Sequence, residues 1–166
     1  MEPIVDEPAA DAHRLLSASG ASVATAESLT GGRLAALLTA APGASRTYVG
    51  GVVAYASEVK IRTLGVPAEL LAQEGVVSAA CARAMAEGVR RALGSTYALS
   101  TTGVAGPDLQ EGRPVGTVFV GIAGPQGATA HAYQLTGGRA HIQEGACAAA
   151  LDILVALLRQ EECGVG

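Results

Sequence analysis

Aromatic side chains are scarce in this chain: tryptophan is absent, phenylalanine occurs once and tyrosine four times in 166 residues. A core must therefore be built from Ala, Val, Leu and Ile, and no aromatic series is available for nucleic-acid bases to stack on. Charge is sparse too, at 16% against 49% hydrophobic residues, a globular composition that excludes disorder. The net charge of −4 argues against nucleic acid as the main partner. Cys81, Cys147 and Cys163 form no CxxC and are odd in number. Buried free thiols in a reducing compartment are expected, not a disulfide framework. His13, His131 and His141 lack zinc-ligand spacing, so no metal is expected. The first residues, "MEPIVDEPAADAH", hold no long apolar run. No signal peptide or membrane span is expected, and a cytoplasmic location follows. Lysine occurs once, at Lys60; the other basic side chains are arginines.

Glycine, by contrast, is abundant, with 22 residues, which implies tight turns or backbone-lined sites. Residues 1–8 read as a loose acidic tail and 9–166 as a single domain. Helical periodicity runs over 9–19, stopped by Gly20, and then Ser22–Ala26 reads as a strand. "GGRLAALLTAAPG" is a helix with Leu34, Leu37, Leu38 and Ala41 on one face. A strand over Tyr48–Tyr55 is followed by a helix closed by Gly65, another begun by Pro67, and a longer one from Ser78 to Leu93. Tyr97–Thr102 is a buried strand. "VGTVFVGIAG" and "ATAHAYQL" form a hairpin, and a last helix runs over 138–161. This alternation predicts an α/β fold: a three-layer α/β/α sandwich on a mixed, mostly parallel sheet. Ligands in such sheets bind at the carboxyl ends of the strands. The Ala-rich helices predict a homo-oligomer.

Those strand ends carry the chemistry. LTGGR occurs twice, at 29–33 and 135–139, each time between a strand and a helix. Only the first copy directly follows a serine. Ser28 on such a turn is either a helix cap or an exposed nucleophile, with the amides at Thr30, Gly31 and Gly32 placed to hold an oxyanion or phosphate. A serine nucleophile needs a base. Lys60, beyond a strand end, can lose its proton in an apolar site where arginine cannot. Tyr55 can pass a proton or orient Lys60. "STTGVAGP" offers the Thr102 hydroxyl and glycines that admit close backbone approach, which suits an anionic or polar group. It is neither a Walker A loop nor a Rossmann fingerprint. At the second LTGGR, Arg139 is a candidate phosphate ligand.

The stretches "TAESLTGGRLAALLT", "PGASRTYVGGVVAYASEVKIRTLGV", "GVVS" and "TGVAGPDLQEGRPVGTVFVGIA" together resemble the C-terminal domain family of the competence/damage-inducible protein CinA. The resemblance runs in order over about residues 10–160. Stand-alone members of that family are nicotinamide-nucleotide amidohydrolases. The resemblance therefore implies hydrolysis of the carboxamide of nicotinamide mononucleotide to nicotinate mononucleotide and ammonia, without a cofactor. It implies Ser28 as nucleophile and Lys60 as base, with Tyr55 beside them. Amides near Gly31 and Gly32 would steady the oxyanion, and the loop Gly103–Pro107, with Ala105 and Gly106, and Arg139 would hold ribose or phosphate. Two departures stand out: Ala56-Ser57 where the family often has Ser-Asn, and Leu29 where it often has Cys. Ser57 then takes the place of a substrate-orienting Asn. The N-terminal domain of full-length members has no counterpart in these residues. A catalytically silent nucleotide-binding or regulatory module of the same fold is the alternative expectation.

Overall fold

The structure, a computed structural model, describes residues 6–164. Its elements in chain order are α1 (Glu7–Ser19), β1 (Val23–Glu27), α2 (Arg33–Ala40), α3 (Ala44–Thr47), β2 (Tyr48–Val53), α4 (Ser57–Leu64), α5 (Ala68–Glu74), α6 (Ala79–Leu93), β3 (Tyr97–Gly103), β4 (Thr117–Gly124), β5 (Gly127–Gln134) and α7 (Arg139–Gly164). The five strands form one sheet in the order β2-β1-β3-β4-β5. β2, β1 and β3 run parallel, and β4 and β5 complete the sheet as an antiparallel hairpin.

Alternation along the central strands sorts the core into two layers. In β1, Val23 joins a cluster with α1, α2 and α7, whereas Ala24 and Ala26 face α4 and α6. In β3, Tyr97 and Leu99 take the first side and Ala98 the second. Both faces are therefore covered, which gives the expected three layers. The small side chains facing α6 let that helix lie close. Gly88 of α6 sits against the Leu64 carbonyl that ends α4. Gly121 of β4 likewise sits under the Ala82 carbonyl of α6.

Three boundaries differ from the sequence reading. Residues 1–5 of the expected tail lie outside the described residues, but its end is helical. Asp6 caps α1, accepting from the Ala9 amide at 3.0 Å, with a proline in the first turn. A short helix, α3, precedes β2. β2 itself ends at Val53, two residues early, because Ala54 and Tyr55 turn toward α4. The last helix is, by length and composition, long and apolar enough to cross a membrane. Half of that stretch is buried in this fold, with Leu151, Leu154 and Leu158 in the core.

His13, excluded above as a zinc ligand, has a packing role. It is buried in α1, its Nε2 donating to the Leu38 carbonyl (2.7 Å) and its Nδ1 accepting from the Thr47 hydroxyl (2.5 Å). It thus ties α1 to the end of α2 and to α3.

The sheet order places β1 at the switch point. The chain leaves β1 through α2 to reach β2 on one side, then returns through α4–α6 on the other face to reach β3. Connections diverging from adjacent parallel strands leave a crevice at their carboxyl ends.

Candidate active site

A cavity of about 160 Å³ opens at that crevice. Its walls come from the three parallel strands. β1 supplies Ser28 and Leu29, β2 leads to Tyr55, Ser57 and Lys60, and β3 continues into Thr102–Gly106. Arg139 closes one side from the start of α7. Residues from Ser28 to Gly106 thus meet because three strand ends are adjacent, and Arg139 joins them from α7.

Ser28 is fixed by its main chain. Its amide donates to the Thr101 carbonyl at 2.9 Å, and its carbonyl accepts from Gly31 at 3.1 Å. Lys60 approaches from the first turns of α4 and is 1% exposed. Its Nζ donates to Ser28 Oγ at 3.0 Å, to the Ala54 carbonyl at 2.7 Å and to the Tyr55 carbonyl at 3.1 Å. Burial pulls its pKa below the ordinary 10.5, outweighing the opposite pull of the acidic groups at Cys81 and Glu111. The geometry suits both protonation states. An ammonium fills all three bonds. A neutral amine can keep its two N–H bonds on the carbonyls, which leaves its lone pair facing Ser28.

Of the two roles expected for Tyr55, orienting Lys60 has a contact, made by its carbonyl, and passing a proton through the phenol does not. Its carbonyl holds Lys60, whereas the residue as a whole is 60% exposed and its phenol accepts from Arg139 Nη2 at 3.0 Å. Among the described residues it has no side-chain bond to Ser28 or Lys60, so a proton relay through the phenol lacks a contact. Arg139 Nη1 also donates to the Gly106 carbonyl at 2.5 Å, joining α7 to the loop after β3. Ser57, Gly103 and Ala105 line the cavity as expected. Thr102 lines it too, but its hydroxyl donates to the Val76 carbonyl at 2.7 Å and so braces a wall.

Thr30, Gly31 and Gly32 do not reach the cavity lining. Thr30 is fully buried, bonded to Glu27 Oε1 at 2.6 Å and to Thr101 Oγ1 at 2.8 Å. The Gly31 amide donates to the Ser28 carbonyl, and that of Gly32 to Glu27 Oε1 at 3.2 Å. The oxyanion role expected of these amides therefore fails: both already have partners inside the protein. The two glycines serve the turn instead, with φ of +59° and +104°, values that side chains disfavour.

Glu27 was not foreseen. It is 1% exposed, and its carboxylate also accepts from the Leu34 amide at 2.8 Å and the Ala35 amide at 3.0 Å. The signal was present: an acid ending an otherwise uncharged strand, one residue ahead of Ser28. The loop after β3 was also read incompletely. Asp108 and Gln110 line the cavity, and next to them Glu111 takes a positive φ of 53°. The Glu111 carboxylate accepts from the amides of Val76 and Val77, at 3.0 Å each, and latches the loop to the opposite wall.

Comparison with known proteins adds the family. The model of the CinA C-terminal domain matches residues 5–158. This chain belongs to that family. A CinA-like protein of Frankia casuarinae is 52% identical over 144 residues, covering 87% of this chain and 33% of that protein. A putative competence-damage inducible protein of Desulforamulus reducens is 52% identical over 138 residues, covering 83% of this chain and 34% of its own length. The chain thus spans about a third of these curated relatives. Among solved structures, a CinA superfamily protein from Klebsiella pneumoniae superposes with a TM-score of 0.90 at 34% identity, covering 93% of this chain and 97% of that one. One from Escherichia coli gives 0.88 at 27% identity, covering 93% and 89%. The three-layer architecture is therefore that of the CinA domain.

Proposed function

We propose that this CinA domain is an amidohydrolase that converts nicotinamide mononucleotide to nicotinate mononucleotide and ammonia. The observation that carries the reading is the buried Lys60 amine, 3.0 Å from Ser28 Oγ at the crevice of the sheet. A lysine whose pKa is lowered by burial, facing a serine on a strand-to-helix turn, is the arrangement of an activated nucleophile.

The steps follow from the atoms present. Neutral Lys60 takes the Ser28 hydroxyl proton as Oγ bonds to the carboxamide carbon. The carbonyl oxygen becomes an oxyanion. The Leu29 amide, next to the nucleophile on the cavity wall, is assigned to it, since the Gly31 and Gly32 amides are engaged. The Lys60 ammonium then gives its proton to the leaving nitrogen, the C–N bond breaks, and ammonia departs. Water, deprotonated by Lys60, attacks the acyl-serine. The tetrahedral intermediate collapses, the proton returns to Ser28, and the carboxylic acid product ionises. The Ala54 and Tyr55 carbonyls keep Nζ in place throughout. Arg139 and the loop at Gly103–Gly106 receive the ribose phosphate, with the guanidinium as its counter-charge.

The test is ammonia release from nicotinamide mononucleotide by the purified protein and by Ser28→Ala. Turnover by the parent, lost in a folded variant, is the expected result. Nucleotide binding with no ammonia from the parent would overturn it in favour of a silent binding module. Equal turnover by both proteins would remove Ser28 as the nucleophile, and the cap reading is already closed because Gly32, not Ser28, stands at the start of α2.

A further inference from the structure

Glu27 is buried and ionisable, and it takes no part in the steps above. Its side chain folds back beneath the turn that carries Ser28. Oε1 accepts from Thr30 Oγ1, from the Gly32 amide and from the Leu34 amide, and Oε2 accepts from the Ala35 amide. These four bonds fasten the first turn of α2 to the end of β1. Thr30 passes the connection on to Thr101 of β3, whose carbonyl holds the Ser28 amide. The Glu27 main chain adds a second link. Its carbonyl accepts from the Ala54 amide at 2.8 Å, and the Ala54 carbonyl in turn accepts from Lys60 Nζ. The residue just before Ser28 is therefore tied to the α2 start, to β3 and to the loop that holds Lys60.

We infer that Glu27 is a positioning residue for the Ser28–Lys60 pair, an inference that rests on the nucleophilic role proposed for Ser28. Two successive left-handed glycines leave the turn with few conformational restraints of its own. Helix start, nucleophile and base remain in register because a single carboxylate gathers the donors of that turn. Its charge also meets the positive end of α2, which makes it a far better acceptor there than a neutral group.

Glu27→Gln tests this. Glutamine keeps one oxygen for Thr30, Gly32 and Leu34 but sets an N–H against the Ala35 N–H, so the turn shifts without losing side-chain volume. A displacement of about 1 Å at a reacting atom costs on the order of 100-fold in rate. Leu158→Ala is the control for stability alone. Leu158 is buried 19 residues beyond the start of α7 at Arg139, roughly 28 Å along that helix. The readouts are the rate at which a fluorophosphonate labels Ser28, identified by mass spectrometry, and kcat and KM for nicotinamide mononucleotide. Both are taken at a temperature where melting curves show all proteins folded.

Glu27→Gln is expected to label about 10- to 100-fold more slowly and to lose kcat by the same factor, with KM within about twofold. The midpoint of its pH profile, set by Lys60, stays where the parent has it. Leu158→Ala melts lower but labels at the parent's rate. Labelling of Glu27→Gln within twofold of the parent overturns the inference. So does equal slowing in Leu158→Ala, a shifted pH midpoint, or a parent whose Ser28 is not labelled. Labelling without ammonia release leaves the positioning role standing and removes only the substrate assignment.

Discussion

Replacing Lys60 by methionine separates base catalysis from mere packing. The side chain is 1% exposed and holds three acceptors, Ser28 Oγ and the carbonyls of Ala54 and Tyr55. Methionine fills nearly the same volume but accepts no proton. A positioned general base contributes about 10²- to 10⁴-fold, which at about 1.36 kcal/mol per decade is roughly 3 to 5 kcal/mol of barrier. The pH dependence has a definite sign. Below its pKa Lys60 is an ammonium with no lone pair for Ser28, so kcat/KM rises about tenfold per pH unit and levels off above it. Burial lowers that pKa, so the plateau begins below 10.5. Single-turnover ammonia release between pH 6 and 10 measures both features without interference from product release. The parent should show the rise, and Lys60→Met a residual rate with no such rise. A variant keeping more than a tenth of the parental rate, or a flat parental profile in single turnover, refutes the base assignment.

Other outcomes are expected on the same structure. Gly88→Ala would place a Cβ 2.0 Å from the Leu64 carbonyl, so α4 must move; unfolding by urea should show a loss of about 1–3 kcal/mol, and kcat should fall because α4 carries Lys60. Arg139→Leu should raise KM for nicotinamide mononucleotide by about 10- to 100-fold, the value of a charge-assisted hydrogen bond. KM for the corresponding riboside, without phosphate, should change far less; equal changes would remove phosphate from the Arg139 assignment. Glu111→Ala should speed hydrogen exchange at the Val76 and Val77 amides, which lose their acceptor. Of the three cysteines, Cys163 alone is exposed, whereas burial pushes the Cys81 thiol up to about 11 and that of Cys147 to about 12. A thiol reagent at pH 8 should therefore modify one group quickly in the folded protein and three after denaturation.

Much of this fold was legible because its elements are amphipathic in the ordinary way. Leu34 and Leu38 recur at helical spacing, and both are buried in α2. The Ser28–Lys60 pair was legible for another reason: each lies just past a strand end, where an α/β sheet assembles its ligand site. What stayed hidden depended on contacts between distant segments. ASRT has no periodicity to mark it as a helix. Pro3 and Pro8 suggested a tail, although a proline in the first turn favours a helix start behind a cap such as Asp6. Glu27 reads in sequence as a charged strand end that belongs in water. Only the path of α2 over β1 shows that four donors converge on it. The Gly31 and Gly32 amides read as oxyanion donors in the sequence because their internal acceptors, the Ser28 carbonyl and the Glu27 carboxylate, are visible only in the fold.

The repeated LTGGR gains its meaning from the residues ahead of it. In both copies a helix begins at the arginine, α2 at Arg33 and α7 at Arg139. The backbones differ: Gly31 and Gly32 are both left-handed, whereas in the second copy only Gly137 is, with φ of +102°. Two positions ahead of the leucine stand Glu27 in the first copy and Tyr133 in the second. Glu27 draws the first copy's amides inward, and Arg33 remains outside the cavity, its Nη1 on the Thr30 carbonyl at 3.3 Å. Tyr133 instead packs against the core with no carboxylate to offer. Arg139, not held by its own turn, reaches across to Tyr55 and Gly106. The same five residues therefore make a braced nucleophile turn where an acid precedes them, and a cationic wall where it does not.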